Sequence, residues 1–211
     1  MGWYFWITII AACLFLGWLF FNLIKLTLSG LPEDLSIPAG DVNKGIRYSF
    51  TGAMSPVKKE SANLHLPTYL AGLCYHLGTF LSLGLSPVII SGIVIPFTLS
   101  LIIGSMIIIS VGCGTGILIK RIIKEELRHF STPDDYLSNI LVTLFQIFTL
   151  ILLIRGSAYT AYFIILSLLL IYIPISKLKH LLFFFAARIH LGNFFGRRGV
   201  WPPVNNIKKI K

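Results

Sequence analysis

Apolar residues in this chain come in long unbroken runs, with no alternation of period two. Between Trp3 and Leu28 the only charged residue is Lys25. A run of ~20 apolar residues at ~1.5 Å rise each covers the ~30 Å hydrocarbon core of a bilayer. Five such runs can be drawn, at about 3–28, 65–88, 93–119, 136–154 and 158–180. The expected fold class is therefore all-α: a polytopic membrane protein built as a five-transmembrane-helix bundle, with residues 1–211 forming one membrane domain.

The polar intervals carry the turn signals. The stretch 29–63 contains Pro32, Pro38, Gly40, Gly45 and Pro56 and ends in Lys58-Lys59-Glu60, so it reads as a loop. Pro67 is acceptable in the first turn of the second span. The turn that follows is open between Gly84–Pro87 and Ser91-Gly92. A second loop covers 120–135 and ends in Ser131-Thr132-Pro133-Asp134-Asp135, a helix start with proline and acids in the first turn. Arg155-Gly156-Ser157 is a tight turn, and the fifth span contains Pro174 and continues into a basic helical extension. The tail, 191–211, rich in Gly, Pro and Lys, is expected to be loosely ordered. No internal repeat is visible, which disfavours an inverted-repeat transporter.

Composition and charge sharpen this picture. The chain is 55% hydrophobic and 12% charged, with a mean hydropathy of +0.83, more apolar than a soluble domain of this length needs. With five spans, seventeen of the 18 Lys/Arg fall on or next to the side shared by both loops and the C-terminus, and only Arg155 marks the other. The positive-inside rule then puts the N-terminus out and the C-terminus in, across a cell's inner (cytoplasmic) membrane. The net charge of +10 is thus mainly a topology signal. Anionic lipid heads account for it, and no nucleic-acid partner is implied. The N-terminus lacks a basic n-region and its apolar run exceeds an h-region, so the first span reads as retained. Trp6 stands where a myristoylation signal needs Ser or Thr. Cys13, Cys74 and Cys113 lie apart, without CxxC or Cys–His spacing, and read as inert thiols rather than iron–sulfur or zinc ligands.

Histidine is the remaining chemistry. His65, His76, His180 and His190 lie at or inside the edges of the second span and the fifth-span extension, where an ionisable side chain is costly and points to function. A neutral imidazole is a good axial ligand, so paired imidazoles on two helices suggest a haem iron held between them. His65 and His76 are eleven residues apart, very nearly three turns, which puts both rings on one face ~16 Å apart in depth. His180 and His190 are ten apart. The second and fifth spans enter from opposite sides, so ligands at matched depths can bracket a cofactor. His129, in a polar loop, reads as solvated.

Three segments together carry a resemblance. Asn63-Leu64-His65 through Tyr75-His76-Leu77-Gly78, then Ser131-Thr132-Pro133-Asp134-Asp135-Tyr136, then Pro174-Ile175-Ser176-Lys177-Leu178-Lys179-His180 resemble the gamma subunit of respiratory nitrate reductases. They are equally similar to the membrane cytochromes that accompany heterodisulfide-reductase-like iron–sulfur proteins. The resemblance covers about 60–198, and Pro-x-Ser-Lys-x-x-His is its most specific piece. It implies a five-span b-type cytochrome with the N-terminus out. It also implies oxidation of menaquinol or ubiquinol, with electrons passed to an iron–sulfur partner on the cytoplasmic face. By this resemblance His65 and His76 match the second-span ligands, with a spacing one residue longer, and His180 matches the ligand at the inner end of the fifth span. The family's other fifth-span histidine falls near Tyr162, where this chain has none.

Two ladders stay open. In one, His65 and His180 hold a single haem near the inner face and His76 serves elsewhere, at a quinol site for example. In the other, His76 pairs with His180 and His65 with His190, which allows two haems. Counting from the outer turns puts His180 ~34 Å down, His76 ~23 Å and His65 ~39 Å, which favours the first; the eleven-against-ten spacing favours the second. The order of preference for the iron is His65, His180, then His76. Lys58, Lys59, Arg188, Arg197 and Arg198 are candidates to meet haem propionates, against a plain anchoring role. Gly72, Gly78, Gly104, Gly112, Gly114 and Gly116 would admit a flat cofactor or a neighbouring helix. Nothing in the chain supplies a catalytic group for a terminal substrate. The alternatives from other classes are a haem-free membrane anchor of such a complex and a small His-relay proton transporter. The transporter would need further polar groups at the midplane, and the first, third and fourth spans offer few beyond Asn22, Ser100 and Gln146.

Overall fold

Inside hydrocarbon no water is available to a peptide group, so an apolar run satisfies its N–H and C=O groups by coiling on itself. The computed structural model describes residues 2–30, 34–56 and 64–203, and every regular element among them is helical. In order they are α1 (Trp3–Ser29), α2 (Val42–Phe50), α3 (Leu66–Ile90), α4 (Phe97–Ile123), α5 (Glu125–His129), α6 (Pro133–Arg155), α7 (Tyr159–Tyr172) and α8 (His180–Arg197), with 3-10 turns at Gly52–Met54, Ile173–Ile175 and Lys177–Lys179. Helices α1, α3, α4 and α6 are each long and apolar enough to cross a membrane. A fifth span is counted if the helical segments Tyr159–Ile175 and Lys177–Arg197, broken at Ser176, are taken as one. The pattern is that of a multi-pass membrane protein.

One choice left open by the sequence is decided, and two local features differ from the sequence reading. The turn after α3 lies at Ser91-Gly92, with Gly92 at φ 71, and Pro87 is carried inside the helix. The 29–63 stretch contains a helix, α2, whose first turn is capped by Asp41 accepting from the Lys44 N–H at 3.1 Å. The basic extension, expected to run on from the fifth span and fray after Gly192, is instead a separate helix, α8. It continues to Arg197 and ends in a turn that brings Trp201 onto the Phe195 ring, 4.8 Å between centroids.

The described chain divides into two units, Met1–Trp18 with Pro67–Lys179, and Leu19–Leu66 with His180–Lys211. In the first, α6 is the common neighbour. Tyr75 of α3 bonds the Asn139 carbonyl and Thr143 Oγ1, both at 2.9 Å, and Gln146 Nε2 donates to Thr79 Oγ1 at 2.8 Å. The pairings 75 to 139 and 79 to 146 rise together, so α3 and α6 run parallel. At the same place on α3, Ser110 of α4 donates to the Tyr75 carbonyl at 3.1 Å, and a Cβ on Gly78 would stand 2.2 Å from the Ser110 side chain. Tyr162 of α7 lies 5.8 Å from the Phe145 ring, and Tyr172 donates to Asp134, so α7 runs against α6. Thr8 of α1 donates to the Phe163 carbonyl at 3.0 Å and shares a 2.8 Å bond with Ser167. Around these polar ties the core is Phe145, Tyr162, Phe163, Leu166 and Leu169. The short connection from α6 to α7 uses Gly156 and Ala158 in the left-handed region, at φ 59 and φ 66.

The second unit is built on backbone contact. A Cβ placed on Gly45 of α2 would stand 2.3 Å from the Gly192 carbonyl oxygen and 2.4 Å from the Gly196 Cα. No side chain fits there, so α2 and α8 meet glycine to glycine, as helices do through a small-xxx-small pattern. Polar ties flank the contact. Ser49 Oγ donates to the Arg188 carbonyl at 2.8 Å, and the Ala39 and Gly40 N–H groups bond the Arg197 carbonyl at 2.8 and 3.0 Å. Arg198 grips Asp34 in two-pronged fashion at 2.7 and 3.0 Å.

Gly45→Val is expected to part α2 from α8, at a cost of about 1–3 kcal/mol for overpacking. The measurement is a red shift of Trp201 fluorescence with new trypsin cleavage at Lys44 and Arg47; Gly17→Ala, whose Cβ meets nothing within 4 Å, is the silent control. A pH dependence follows as well. The Ser36 side chain and its backbone N–H, with Arg198 behind them, hold the Asp34 carboxyl down at about 2. A carboxylate lowered on folding stabilises in full above its ordinary value of 3.8, and that contribution is lost as pH falls toward 2. NMR titration of Asp34 should therefore show a midpoint near 2 in the wild type and a return toward the ordinary value in Arg198→Ala.

Candidate functional site

The four candidate histidines separate between the units. His65, His180 and His190 belong to the second and His76 to the first. His65 is the residue just before α3, and His180 is the first residue of α8. His65, His76 and His180 are exposed and His190 is half-buried. On α3 the residues Gly78, Ser82 and Ser86 are buried, whereas Leu73, Leu77 and Phe80 stand exposed with His76. His76 Nδ1 lies 2.7 Å from the Gly72 carbonyl, and a carbonyl only accepts, so Nδ1 carries the proton. In the neutral ring that leaves the lone pair on Nε2, the tautomer an iron ligand needs when its other nitrogen is bonded to backbone. Gly72 itself faces open space. A bis-imidazole site asks for two ligands only, and among the described residues no group of three or more metal-binding side chains occurs.

The level of Tyr162 does not fit a second haem. This side chain is 0% exposed, its ring packs 5.4 Å from Phe163, and its hydroxyl donates to Ser86 Oγ of α3 at 3.0 Å. Helices α3 and α7 are thus tied directly to each other where a flat macrocycle would have to pass between them.

Two of the three segments carrying the resemblance meet. Asp134 accepts from Tyr172 Oη, from Ser138 Oγ at 3.2 Å and from the Lys177 N–H at 2.8 Å. Asp135 takes Lys177 Nζ at 2.7 Å, lies 3.5 Å from Arg121 and accepts from the Thr132 N–H at 2.8 Å. Arg121 donates to Ser131 Oγ at 3.1 Å. The first turn of α6, the end of α4 and the break after α7 are therefore one ion cluster. It ends three residues before His180.

Other candidates are placed differently from the sequence expectation. Arg197 donates to the Ser36 carbonyl at 3.0 Å, Arg198 grips Asp34, and Arg188 lies against Met54 and over the Phe184 ring at 5.5 Å. All three are engaged within the second unit, and no propionate role is needed to account for them. Lys58 and Lys59 lie outside the described residues. Among the glycines, Gly78, Gly104 and Gly114 sit against neighbouring helices, while Gly72, Gly112 and Gly116 face open space. Cys74 and Cys113 are both free thiols. The glycines that matter most, Gly45, Gly192 and Gly196, were missed. The spacing of four from Gly192 to Gly196 was the signal that could have found two of them.

No family model, curated protein or solved structure matches the chain. The site therefore stands on its own residues. Tyr162→Phe is expected to cost about 1 kcal/mol, the worth of one buried hydrogen bond. Tyr162→Ala should cost about 3–5 kcal/mol by leaving a cavity. Thermal unfolding in detergent, followed by circular dichroism, measures both.

Proposed function

We propose that this chain is a haem b-containing membrane subunit of a respiratory oxidoreductase, carrying electrons between the quinone pool and an iron–sulfur partner on the cytoplasmic face. The observation that carries the reading is the cluster joining Asp134 and Asp135 to Lys177, because it unites the two most characteristic segments of the resemblance immediately before a candidate ligand. The haem supplies one-electron redox chemistry.

His65 and His180 are the axial ligands in this reading. Their membership of one unit is compatible with the pair, and the closed packing at Tyr162 leaves no room for a haem at that level. His76, with its Nδ1 proton committed to Gly72, is the next candidate and fits a quinol-binding role equally. His190, half-buried in α8, ranks last. The polar stretches 29–63 and 120–135, each in its own unit, are the segments offered to the partner.

The orientation is N-terminus out and C-terminus in. Within the first unit, α3 and α6 run parallel and α7 runs against α6, as alternating spans require. The cationic intervals then fall on the inner side.

Purified protein is expected to show the sharp reduced-minus-oxidised bands of b haem at one haem per polypeptide. His180→Ala should abolish them and His190→Ala should keep them. Absence of the bands in the wild type would discard this reading in favour of a haem-free anchor. Acidification of protein-loaded vesicles without a reductant would favour the proton transporter.

A further inference from the structure

We infer that the first unit binds an ordered water between the Ser82 hydroxyl of α3 and the Gln146 side-chain oxygen of α6, and that this water joins two hydrogen-bonded networks into one. The inference is independent of the haem reading. Ser82 and Gln146 are each 0% exposed, and among the described residues neither Ser82 Oγ nor Gln146 Oε1 has a hydrogen-bond partner. Leaving a buried polar atom unpaired is costly, and an internal water bonded to such atoms is the common remedy. The two atoms are complementary, since a hydroxyl can donate to water and an amide oxygen can accept from it.

The direction of the Gln146 amide is fixed by its neighbours. Thr79 Oγ1 donates to the Tyr75 carbonyl at 2.7 Å, so its one proton is spent and it can only accept from Gln146. Nε2 therefore faces Thr79, and Oε1 lies toward Gly78, 3.6 Å from where a Cβ on that residue would stand. Ser82 is one turn further along the same face of α3, about 5–6 Å from Gly78 between Cβ positions. Two bonds of about 2.8 Å through one water cover such an interval. The other hydroxyls close by already donate elsewhere: Ser110 to the Tyr75 carbonyl, Ser86 to the Ser82 carbonyl and Thr149 to the Phe145 carbonyl.

The water has a network on each side. Toward the start of α3, Asn139, Thr143 and Tyr75 lead to Thr79 and Gln146. Toward its end, Tyr162 donates to Ser86, which donates to Ser82. From Tyr75 to Ser86 is eleven residues of α3, or ~16 Å of depth. Bridging Gln146 to Ser82 makes a continuous polar thread over that distance, inside a unit whose outer surface is apolar.

The test has two parts, both on the full-length protein in detergent. A wild-type crystal or electron-microscopy map fine enough to show ordered water is expected to place a peak within about 3.2 Å of both Ser82 Oγ and Gln146 Oε1. The inference is overturned by the lack of such a peak, by a direct Ser82–Gln146 bond, or by a peak ringed by six or more oxygens at about 2.4 Å, which is the coordination of a cation. Ser82→Ala is then compared in the wild type and in Gln146→Met by titration with a denaturing detergent. In the wild type it is expected to lower the folding equilibrium constant about fivefold, the worth of one net hydrogen bond. In Gln146→Met the same change should alter it less than about twofold, because the bridge is already lost. Equal effects in the two backgrounds, or a Ser82→Ala that stabilises the wild type, would also overturn it. The map needs no variant, so it still decides the matter should Gln146→Met fail to fold.

Discussion

In an apolar span Ser and Thr can bond their own helix, as Thr149 does to the Phe145 carbonyl, but a side-chain amide or phenol reaches for a neighbouring helix, and the first unit is arranged around that constraint. Helix α6 carries Asn139, Thr143 and Gln146 through a stretch that is otherwise almost wholly aliphatic and aromatic. Each is spent on α3 or on the end of α4: Thr143 on Tyr75, Gln146 on Thr79, and Asn139 on the Gly114 carbonyl at 3.3 Å. Between helices in lipid there is little hydrophobic drive to associate, so such bonds and close small-residue contacts decide which faces meet. Gly78 and Gly114 permit the approach, and the hydrogen bonds fix the register. Apolar packing by Phe145, Tyr162 and Leu166 then fills what the polar ties have placed.

Hydropathy made the helices legible because length and apolar content are the property that a bilayer selects. It located α1, α3, α4 and α6 to within a few residues. It left the turn near Pro87 open and failed at Ser176. Proline inside a span is tolerated when the freed carbonyl is accommodated locally, so Pro87 did not end α3. At Ser176, two residues after Pro174, the ladder is interrupted, and Asp134 competes for the Lys177 N–H as an acceptor from another part of the chain. No reading of local pattern contains that competition.

The candidate site divides along the same line. The histidines stood out in the sequence as candidates, since an imidazole at a membrane edge is conspicuous wherever it occurs. The roles of the arginines were not. Arg188, Arg197 and Arg198 have the charge a propionate wants, but they are drawn to backbone carbonyls, a thioether and Asp34 within their own unit. A positive-inside signal and a ligand contact look identical in sequence. Only the acceptor at the far end distinguishes them.

The glycine contact between α2 and α8 bears on how the chain is made. Gly45 and Gly196 are ~150 residues apart, and at synthesis rates of about 5–20 residues per second the first waits on the order of 8–30 seconds for the second. Through that interval α2 has its permanent partner neither in the membrane nor in the water. A flat glycine face with no side chain to shield it is open to any other close-fitting helix that passes. A nascent segment of this kind keeps an uncovered close-packing face until α8 has been made.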